Sequence, residues 1–201
     1  MTGRVTGATF YFSAVMLSDT RAVARGLRRR DPDLLDRLIE QYQYRLYRYL
    51  FYLTGNQETA EDLFQETWIR VLERGHQYDG QSKFETWLFS IARHLVIDLS
   101  RRKSTQSLNA LTAVDSDQHF EPEAGGASAL DLVASRETGA RIQASLGQLP
   151  AIYREVLLLR FQEDLRLEEI ATVLGTPLPT VKSRLYRGLE VLRALFGEET
   201  V

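Results

Sequence analysis

Apolar residues recur at three- and four-residue steps through the first half of this chain, from Asp31 to Lys103. That period is typical of helices that bury one face, and no run alternates as a half-buried strand would. Gly55 and Asn56 interrupt the pattern, and a polar stretch that contains Gly80 interrupts it again. The predicted elements are a helix from Pro32 to about Gly55, a helix over Thr59–Leu72 that ends near Gly75, a loop over His76–Lys83 and a helix over Phe84–Arg102.

The periodicity weakens between Ser104 and Arg136, where Pro122, the pair Gly125-Gly126 and many acidic residues occur. This composition predicts a flexible acidic linker. Its charge would repel DNA and shield basic surfaces of the free protein. That hypothesis fails if deleting residues 108–128 leaves the DNA affinity of the isolated chain unchanged.

Two short helices joined by a tight turn are predicted over Leu167–Arg193. Ile170 and Leu174 lie one turn apart on an apolar stripe of the first helix. Gly175 follows, and glycine is the usual residue where a helix ends in a left-handed conformation. Thr176 is then placed to cap the second helix, with a proline at that helix's first position.

The second of these helices has an apolar face and a basic surface, which is how a small domain places a helix in the major groove of DNA. A solvated amphipathic hairpin is the alternative. Arg166 precedes the first helix where Ser, Thr or Asp is usual, so the start of that helix is less well capped. The apolar face holds Val181, Leu185, Leu189 and Leu192, and the remaining surface holds Lys182, Arg184, Tyr186, Arg187 and Arg193.

Composition narrows the classes of protein. The chain has 201 residues, of which 44% are hydrophobic, enough for one or two globular domains. It has no cysteine, and His76, His94 and His119 lie far apart, so we predict no metal and no cofactor. The net charge is −2, so the cations must be concentrated locally, and DNA binding by the chain alone is expected to be weak.

The N-terminal residues are predicted to form a partly disordered leader over residues 1–30. Residues 8–17 are apolar but too few to span a bilayer. Only Arg4 precedes them, whereas a signal peptide has a basic start, and the cluster of Arg25 with Arg28 to Arg30 comes afterwards. Met16 is an alternative first residue. We expect a cytoplasmic protein with no membrane insertion.

One face of the predicted helix over Thr59–Leu72 carries Asp62, Gln65, Glu66 and Ile69 at three- and four-residue steps. Paired carboxylates can perform acid–base catalysis. Here no nucleophile, metal ligand or phosphate-binding loop accompanies them, so no enzyme is predicted. A polar docking face is the more economical interpretation, and a solvated helix surface is the alternative.

Aromatic and cationic residues alternate from Lys83 onward. Rings such as Trp87 can stack on bases while cations hold phosphates, at about 1–3 kcal/mol for each stacked base. Burial of Phe84, Trp87 and Leu88 in the core is the alternative. The cations of this stretch are Lys83, Arg93, Arg101 and Arg102.

In combination these segments resemble the extracytoplasmic-function (ECF) sigma factors, the small promoter-recognition subunits of bacterial RNA polymerase. The similarity covers about Asp31–Lys103, matching region 2 of the family, and Leu146–Phe196, matching region 4. His94, Arg166 and Pro179 stand where the family often has Asn, Ser and Gly, which bears on promoter preference and helix starts. The strings that carry the resemblance are AEDLFQETWIRVLE, FETWLFSIARHLVIDLSRR, LPAIYREVLLLRF and EEIATVLGTPLPTVKSRLYRGLEVLR.

The resemblance implies an all-α fold: a region 2 helical bundle and a region 4 helix-turn-helix domain, joined by a flexible acidic linker. The implied boundaries are a leader over 1–30, region 2 over 31–103, a linker over 104–136 and region 4 over 137–197. The implied partners are promoter DNA and core RNA polymerase, through the clamp helices of its largest subunit and the flap of its second-largest subunit. The family also admits an anti-sigma factor as a partner, although no residue of this sequence demonstrates one.

The resemblance also implies roles for single residues. The implied polymerase-docking residues are Asp62, Leu63, Gln65, Glu66 and Ile69. The implied contacts to the melted minus-ten strand, from which one base is flipped out, are Tyr78, Gln81, Ser82, Lys83, Trp87, Arg93, Arg101 and Arg102. The implied contacts to the minus-thirty-five duplex are Thr180, Lys182, Ser183, Arg184, Tyr186 and Arg187.

Two rival functions remain at this point. An autonomous helix-turn-helix repressor or activator would bind DNA tightly by itself, usually as a dimer. A sigma-like decoy that sequesters an anti-sigma factor would usually carry a receiver domain, and none is present in this sequence. The near-neutral charge and the docking face favour a sigma factor that captures promoters together with the polymerase.

Overall fold

The computed structural model describes residues 19–108 and 145–197, and every regular element within those ranges is helical. This confirms the predicted all-α fold. The elements are α1 (Thr20–Arg29), α2 (Pro32–Thr54), α3 (Gln57–Arg74), a 3-10 turn (Gly75–Gln77), α4 (Phe84–Leu108), α5 (Ala151–Leu157), a π-helical turn (Leu158–Gln162), α6 (Leu167–Leu174) and α7 (Leu178–Gly197).

Helix α1 lies within the stretch that the sequence placed in the leader, yet it is part of the folded core. Asp19 caps it by accepting hydrogen bonds from the backbone N–H groups of Arg21 and Ala22. Val23 and Leu27 lie one turn apart and are buried against the helices that follow. Two apolar residues at this spacing are too weak a pattern to stand out among arginines, which is why the helix was missed.

Helices α2, α3 and α4 pack against one another and form the core of the N-terminal half. Tyr49 of α2 meets Phe89 of α4 edge to face, with ring centroids 5.0 Å apart. The Tyr42 hydroxyl donates a hydrogen bond to Glu85 Oε2 at 2.8 Å, which joins the same two helices. These contacts fix the start of α4, the segment that the sequence predicted to meet DNA.

In the N-terminal half, the boundaries of the predicted helices agree with the observed ones except at two ends. Helix α3 begins at Gln57, two residues earlier than predicted, because Asn56 caps it through the backbone N–H of Thr59. Helix α4 continues to Leu108 and so includes the first residues of the predicted linker. Residues 109–144 of that linker lie outside the described ranges.

The C-terminal half contains the predicted tight turn between α6 and α7. Gly175 has φ of 58°, the left-handed conformation expected of a glycine that ends a helix. Glu169 accepts a hydrogen bond from the Arg166 backbone N–H at 2.7 Å, so the start of α6 is half-capped although the Arg166 side chain cannot accept one. The start of α6 therefore lies where the sequence placed it.

The predicted cap of α7 is wrong. Helix α7 begins at Leu178, and the Pro177 carbonyl accepts its first hydrogen bonds, from the N–H groups of Thr180 and Val181. The Thr176 hydroxyl is buried without a hydrogen-bond partner among the described residues. Thr176 stands one residue too early to cap a helix that starts after Pro177.

The two halves pack closely and share one cluster of buried apolar side chains. Helix α4 lies against α6, and α2 lies against α5. Arg154 of α5 is buried at their junction, where its guanidinium donates to the carbonyls of Leu146, Gly147 and Leu149 and, at 3.3 Å, to that of Tyr52 in α2. The described conformation is therefore closed, with the predicted DNA-binding elements of both halves on one body.

Candidate nucleic-acid interface

The outer face of α7 presents the side chains that the sequence predicted to read duplex DNA. Lys182, Ser183, Tyr186 and Arg187 are all exposed, and Tyr186 is 67% exposed. Val181 on the opposite side is fully buried and anchors the helix in the core. We name these four exposed residues the duplex-reading face. Its shape and charge suit insertion into a major groove.

Two other residues predicted to hold phosphates of the duplex, Thr180 and Arg184, are only half-exposed. Burial raises the pKa of the Glu155 carboxyl, and the Arg184 guanidinium is near enough to oppose that rise in a small part. In this conformation Arg184 therefore faces the junction of the two halves as well as solvent.

The loop between α3 and α4 is held shut by the side chain of Tyr78. The Tyr78 hydroxyl donates to the Ser82 carbonyl at 2.6 Å, and the ring packs edge to face on Phe84. Tyr78 is 1% exposed, so its ring belongs to the core and has no face free for a base. The predicted contact of Tyr78 with the captured strand would therefore require its ring to leave the core.

The outer part of this loop keeps the other predicted contacts within reach of solvent. Gln81 is exposed, and Ser82 is half-buried. Trp87 is also half-buried, with its ring 5.3 Å from that of Tyr78. Half of the Trp87 side chain thus packs on the core, and its contact with a base stays a prediction. We name residues 76–83 with the first turns of α4 the strand-capture surface.

Gly80 and Thr20 attach this loop to α1. The Thr20 hydroxyl donates to the Gly80 carbonyl at 2.6 Å. Gly80 has φ of 76°, and a Cβ added there would lie 2.8 Å from the Thr20 carbonyl oxygen. Only glycine satisfies both the positive φ and the close backbone approach.

The cation at the start of α4 is neutralised by the C-terminal half. Lys83 Nζ lies 3.0 Å from Glu169 Oε1 of α6 and 4.0 Å from Glu85 Oε1. Burial raises the pKa of Glu169, but the Arg166 N–H and the Lys83 ammonium outweigh burial and lower that pKa below its ordinary value. Glu169 is thus held ionised beside Lys83.

A second cation of α4 is covered more deeply. Arg93 Nε lies 3.0 Å from Glu155 Oε1 of α5, although its N–H is not directed at that oxygen, so the contact is an ion pair rather than a hydrogen bond. The fully buried Tyr49 donates its hydroxyl to the same oxygen at 3.1 Å. Burial raises the pKa of Glu155, and the nearby Arg93 guanidinium opposes that effect.

A third contact between the halves involves residues that sequence reasoning missed. Arg45 of α2 donates from Nε to Glu163 Oε2 at 2.8 Å and from Nη2 to the Glu163 carbonyl at 2.9 Å. The π-helical turn before Glu163 and the positive φ of Asp164, 52°, aim this buried glutamate at α2. No sequence pattern foretells a π-helical turn, so no signal pointed to this pair.

The residues predicted to dock on the polymerase lie on or beneath the outer face of α3. Asp62 and Gln65 are exposed, Leu63 is buried beneath them, and Glu66 pairs with Arg70 at 2.8 Å. Ile69 is 47% exposed. Sequence reasoning missed Leu72, which is 49% exposed and lies one turn beyond Ile69, a spacing that was visible in the sequence. We name Asp62, Gln65, Glu66, Ile69 and Leu72 the docking face.

The remaining predicted strand contacts, Arg101 and Arg102, are exposed near the C-terminal end of α4. Across residues 19–108 and 145–197, no group of three or more His, Asp or Glu residues is placed to hold a metal ion. In the same ranges no helix combines the length and the apolar character needed to cross a membrane.

Comparison with known families defines the class of protein. The Sigma-70 region 2 family matches residues 38–106, and the Sigma-70, region 4 family matches residues 139–192. These two matches contain the strand-capture surface and the duplex-reading face, respectively. The fold is therefore that of a sigma factor of RNA polymerase with regions 2 and 4.

Relatives identify the family within this class. The ECF RNA polymerase sigma factor SigX of Bacillus subtilis is 36% identical over 162 residues, which cover 78% of this chain and 80% of SigX. SigW of the same organism is 35% identical over 166 residues, covering 81% and 89% of the two chains. The chain belongs to the ECF sigma factors. It binds core RNA polymerase and directs transcription initiation at specific promoters.

Solved structures agree on the fold. CnrH, solved in complex with the cytosolic domain of CnrY, is 21% identical, with a TM-score of 0.67 and coverage of 91% of this chain and 99% of that one. The sigma factor RpoE of Bartonella quintana, solved in complex with the anti-sigma factor NepR, is also 21% identical, with a TM-score of 0.61 and coverage of 81% and 96%.

Proposed function

We propose that this ECF sigma factor divides promoter recognition among three surfaces and that the closed conformation leaves only two of them free. The duplex-reading face takes the minus-thirty-five element, the strand-capture surface takes the melted minus-ten strand, and the docking face takes the clamp helices of the polymerase. The observation that carries the proposal is the joint exposure of four polar side chains on the helix that follows the tight turn.

Recognition of the duplex rests on Lys182, Ser183, Tyr186 and Arg187. Arg187 and Lys182 offer donors suited to the acceptor atoms of guanine, a contact that discriminates between bases by about 1–3 kcal/mol. Thr180 and Arg184 are proposed to hold phosphates at the edge of this contact. Arg184 would then turn from Glu155 toward the DNA backbone.

Strand capture rests on Gln81, Ser82, Lys83, Trp87 and Arg93, with Arg101 and Arg102 further along α4. Flipping a base out of the stack costs a few kcal/mol, so nearby rings and cations must return that energy. Tyr78 supports the loop from inside. If its ring contacts a base, it must first leave the core.

The closed conformation places carboxylates where the captured strand would place phosphates. Glu169 lies against Lys83, and Glu155 lies against Arg93. Opening must therefore separate α6 from α4 before the strand is captured. The Lys83 pair is half-exposed, and such pairs contribute only roughly 0–1 kcal/mol, so its loss does not obstruct opening. Binding of the two halves to separate polymerase surfaces supplies the driving force.

Docking on the polymerase rests on the exposed apolar pair Ile69 and Leu72 with the polar residues around it. Apolar side chains that are half-exposed on a free protein gain most when a partner covers them. Leu63 lies beneath the face and holds its shape. The flap of the second-largest subunit is proposed to engage the C-terminal half.

The remaining proposals follow from the family. The domains are region 2 over 31–103, to which α1 adds a further helix, and region 4 over 137–197. The protein acts as an initiation factor without catalysis of its own and works in the cytoplasm. Both solved structures named above hold a second protein, for RpoE an anti-sigma factor, and an inhibitor of that kind is a proposed partner.

Run-off transcription on a random promoter library tests the proposed function. Core polymerase is assayed with and without the protein, and enriched promoters should contain two separated sequence blocks. An autonomous repressor or activator would instead select DNA without polymerase, usually as paired half-sites. Absence of polymerase-dependent enrichment would overturn the proposal.

A further inference from the structure

Helix α1 carries a row of arginines that take no part in the packing of the core. Arg21, Arg25 and Arg28 follow one another at steps of four and three residues, so they share one face, and Arg29 and Arg30 lie beside it. All five are exposed, while Val23, Ala24 and Leu27 point the opposite way into the core. We name these five arginines the arginine face.

The arginine face has no acidic partner among the described residues. None of its guanidinium groups lies within ion-pair distance of a carboxylate there. Asp19 and Asp31 flank the helix, but their carboxylates accept backbone hydrogen bonds as helix caps. The positive charge of the face is therefore uncompensated on a chain whose net charge is −2.

Stability does not account for this charge. Cations favour the C-terminal end of a helix, which explains Arg28 and Arg29 but not Arg21 and Arg25. Like charges four residues apart, as in these two, destabilise a helix by roughly 0.2–0.5 kcal/mol per pair. A destabilising cluster of cations beside a surface that binds DNA indicates a ligand of opposite charge.

Helix α1 contacts the strand-capture surface at one point and the residue just before that surface at another. Thr20 at its start donates to Gly80 in the loop. Leu27 near its end packs on Gly75, where an added Cβ would lie 3.2 Å from the Leu27 Cβ. These two contacts hold α1, and with it the arginine face, beside the loop.

We propose that the arginine face binds backbone phosphates of promoter DNA beside the captured minus-ten strand. Guanidinium groups suit phosphate oxygens, and contacts to the backbone position DNA without reading its sequence. The proposal rests on the proposed function of the loop, and it adds a sequence-independent clamp to that site. Unlike Lys83 and Arg93, these cations need no opening of the molecule to become available.

The salt dependence of DNA binding tests the clamp. Holoenzyme is formed with Arg21→Gln/Arg25→Gln and bound to a promoter from the library selection, with a mismatched minus-ten element, at several salt concentrations. Two lost phosphate contacts should lower the slope of log K against log salt by about 1.4 if the phosphates are single-stranded and about 1.8 if they are in duplex. Glutamine keeps a helix propensity close to that of arginine.

The control is Arg160→Gln, which removes the positive charge of a partly exposed arginine to which no DNA contact is assigned. It should leave the slope near that of the wild type. An unchanged slope for the α1 variant overturns the proposal. A weakened affinity for core polymerase with an unchanged DNA slope also overturns it, since the partner of the arginine face would then be an acidic protein surface.

Lys83→Gln in the same assay distinguishes failure of the phosphate clamp from failure of the proposed strand capture by the loop. If this variant weakens binding to the mismatched promoter while the α1 variant does not, the clamp is wrong and the strand-capture surface stands. If Lys83→Gln has no effect either, the proposed function of the loop fails as well.

Discussion

Lys83 Nζ lies 3.0 Å from Glu169 Oε1, and this pair joins the first turn of α4 to the first helix of the helix-turn-helix. The cation belongs to the surface proposed to hold a single strand, and the carboxylate belongs to the domain proposed to read duplex. A carboxylate of one half thus pairs with the cation that the proposed function assigns to DNA in the other half.

Removing both covering acids should release the strand-capture surface. We expect Glu155→Gln/Glu169→Gln to bind a single-stranded minus-ten oligonucleotide several-fold more tightly than the wild type, in the absence of polymerase. A pair of fluorophores on the two halves should also report a longer mean distance. Glu168→Gln, an exposed neighbour on α6, is the control and should change neither readout. A double variant that behaves like this control would contradict the masking of Lys83 and Arg93.

Arg187→Ala should separate promoter reading from polymerase binding. The side chain is exposed on α7, so its loss should not affect folding. We expect transcription from the cognate promoter to fall by roughly 5- to 150-fold, the equivalent of about 1–3 kcal/mol, while affinity for core polymerase stays near that of the wild type. Glu190→Ala, at another exposed position of the same helix, is the control. Equal loss of transcription and polymerase affinity would refute the assignment.

A charge placed in the apolar part of the docking face should prevent assembly. We expect Ile69→Asp to weaken the affinity for core polymerase by more than about 2 kcal/mol, because a buried unpaired carboxylate is costly. Ile152→Asp is matched in exposure, 48% against 47%, and should bind polymerase nearly as well as the wild type. Similar binding by both variants would mean that α3 does not dock there.

Gly80→Ala should distort the loop without unfolding the protein. A side chain at φ of 76° costs roughly 1–2 kcal/mol, and the new Cβ would clash with the Thr20 carbonyl. We expect a modest fall in the melting temperature and a large fall in open-complex formation, measured by permanganate reactivity of melted thymines. Gly175→Ala, also at positive φ but with nothing within 4 Å of the added Cβ, controls for the backbone strain. The loop assignment is wrong if open complexes form normally.

Two glutamates at the junction should change the pH dependence of stability in opposite directions. Burial raises the pKa of Glu163 despite its hydrogen bonds from Gln162 and Arg45. Its contribution to the free energy of unfolding therefore falls as the pH rises from the pKa of the unfolded state, near 4.5, through the pKa of the folded state. The pKa of Glu169 is lowered in the folded state, so Glu169 adds to the free energy of unfolding above pH 4.5. This contribution is lost as the pH falls through the pKa of the folded state.

Urea unfolding at a series of pH values distinguishes the two groups. Glu163→Gln should make the slope of stability against pH more positive above pH 4.5, and Glu169→Gln should make it less positive below that value. Shifts of the same sign in both variants would contradict these environments.

The sequence predicted those features of the structure that depend on helical periodicity and on the residues of the turns. Gly175 in its left-handed turn and the buried Val181 followed from residue type and spacing, as did the exposed Arg187. The three ion pairs between the halves could not be predicted, since Arg45 and Glu163 are 118 residues apart and meet only through a π-helical turn. The burial of Tyr78 was not predicted for a related reason: its hydroxyl closes a loop whose path no local pattern describes.

Helix α7 stays open to DNA while the cations of the loop are covered, so the two blocks of a promoter would be met in a fixed order. In the closed conformation, the duplex-reading face of α7 would be free to bind intact duplex. The strand-capture surface would bind an unpaired base only after the two halves separate. Sites that carry only a suitable minus-ten sequence would then be passed over. On this proposal, binding of α7 to the minus-thirty-five duplex precedes separation of the halves, and capture of the minus-ten strand follows.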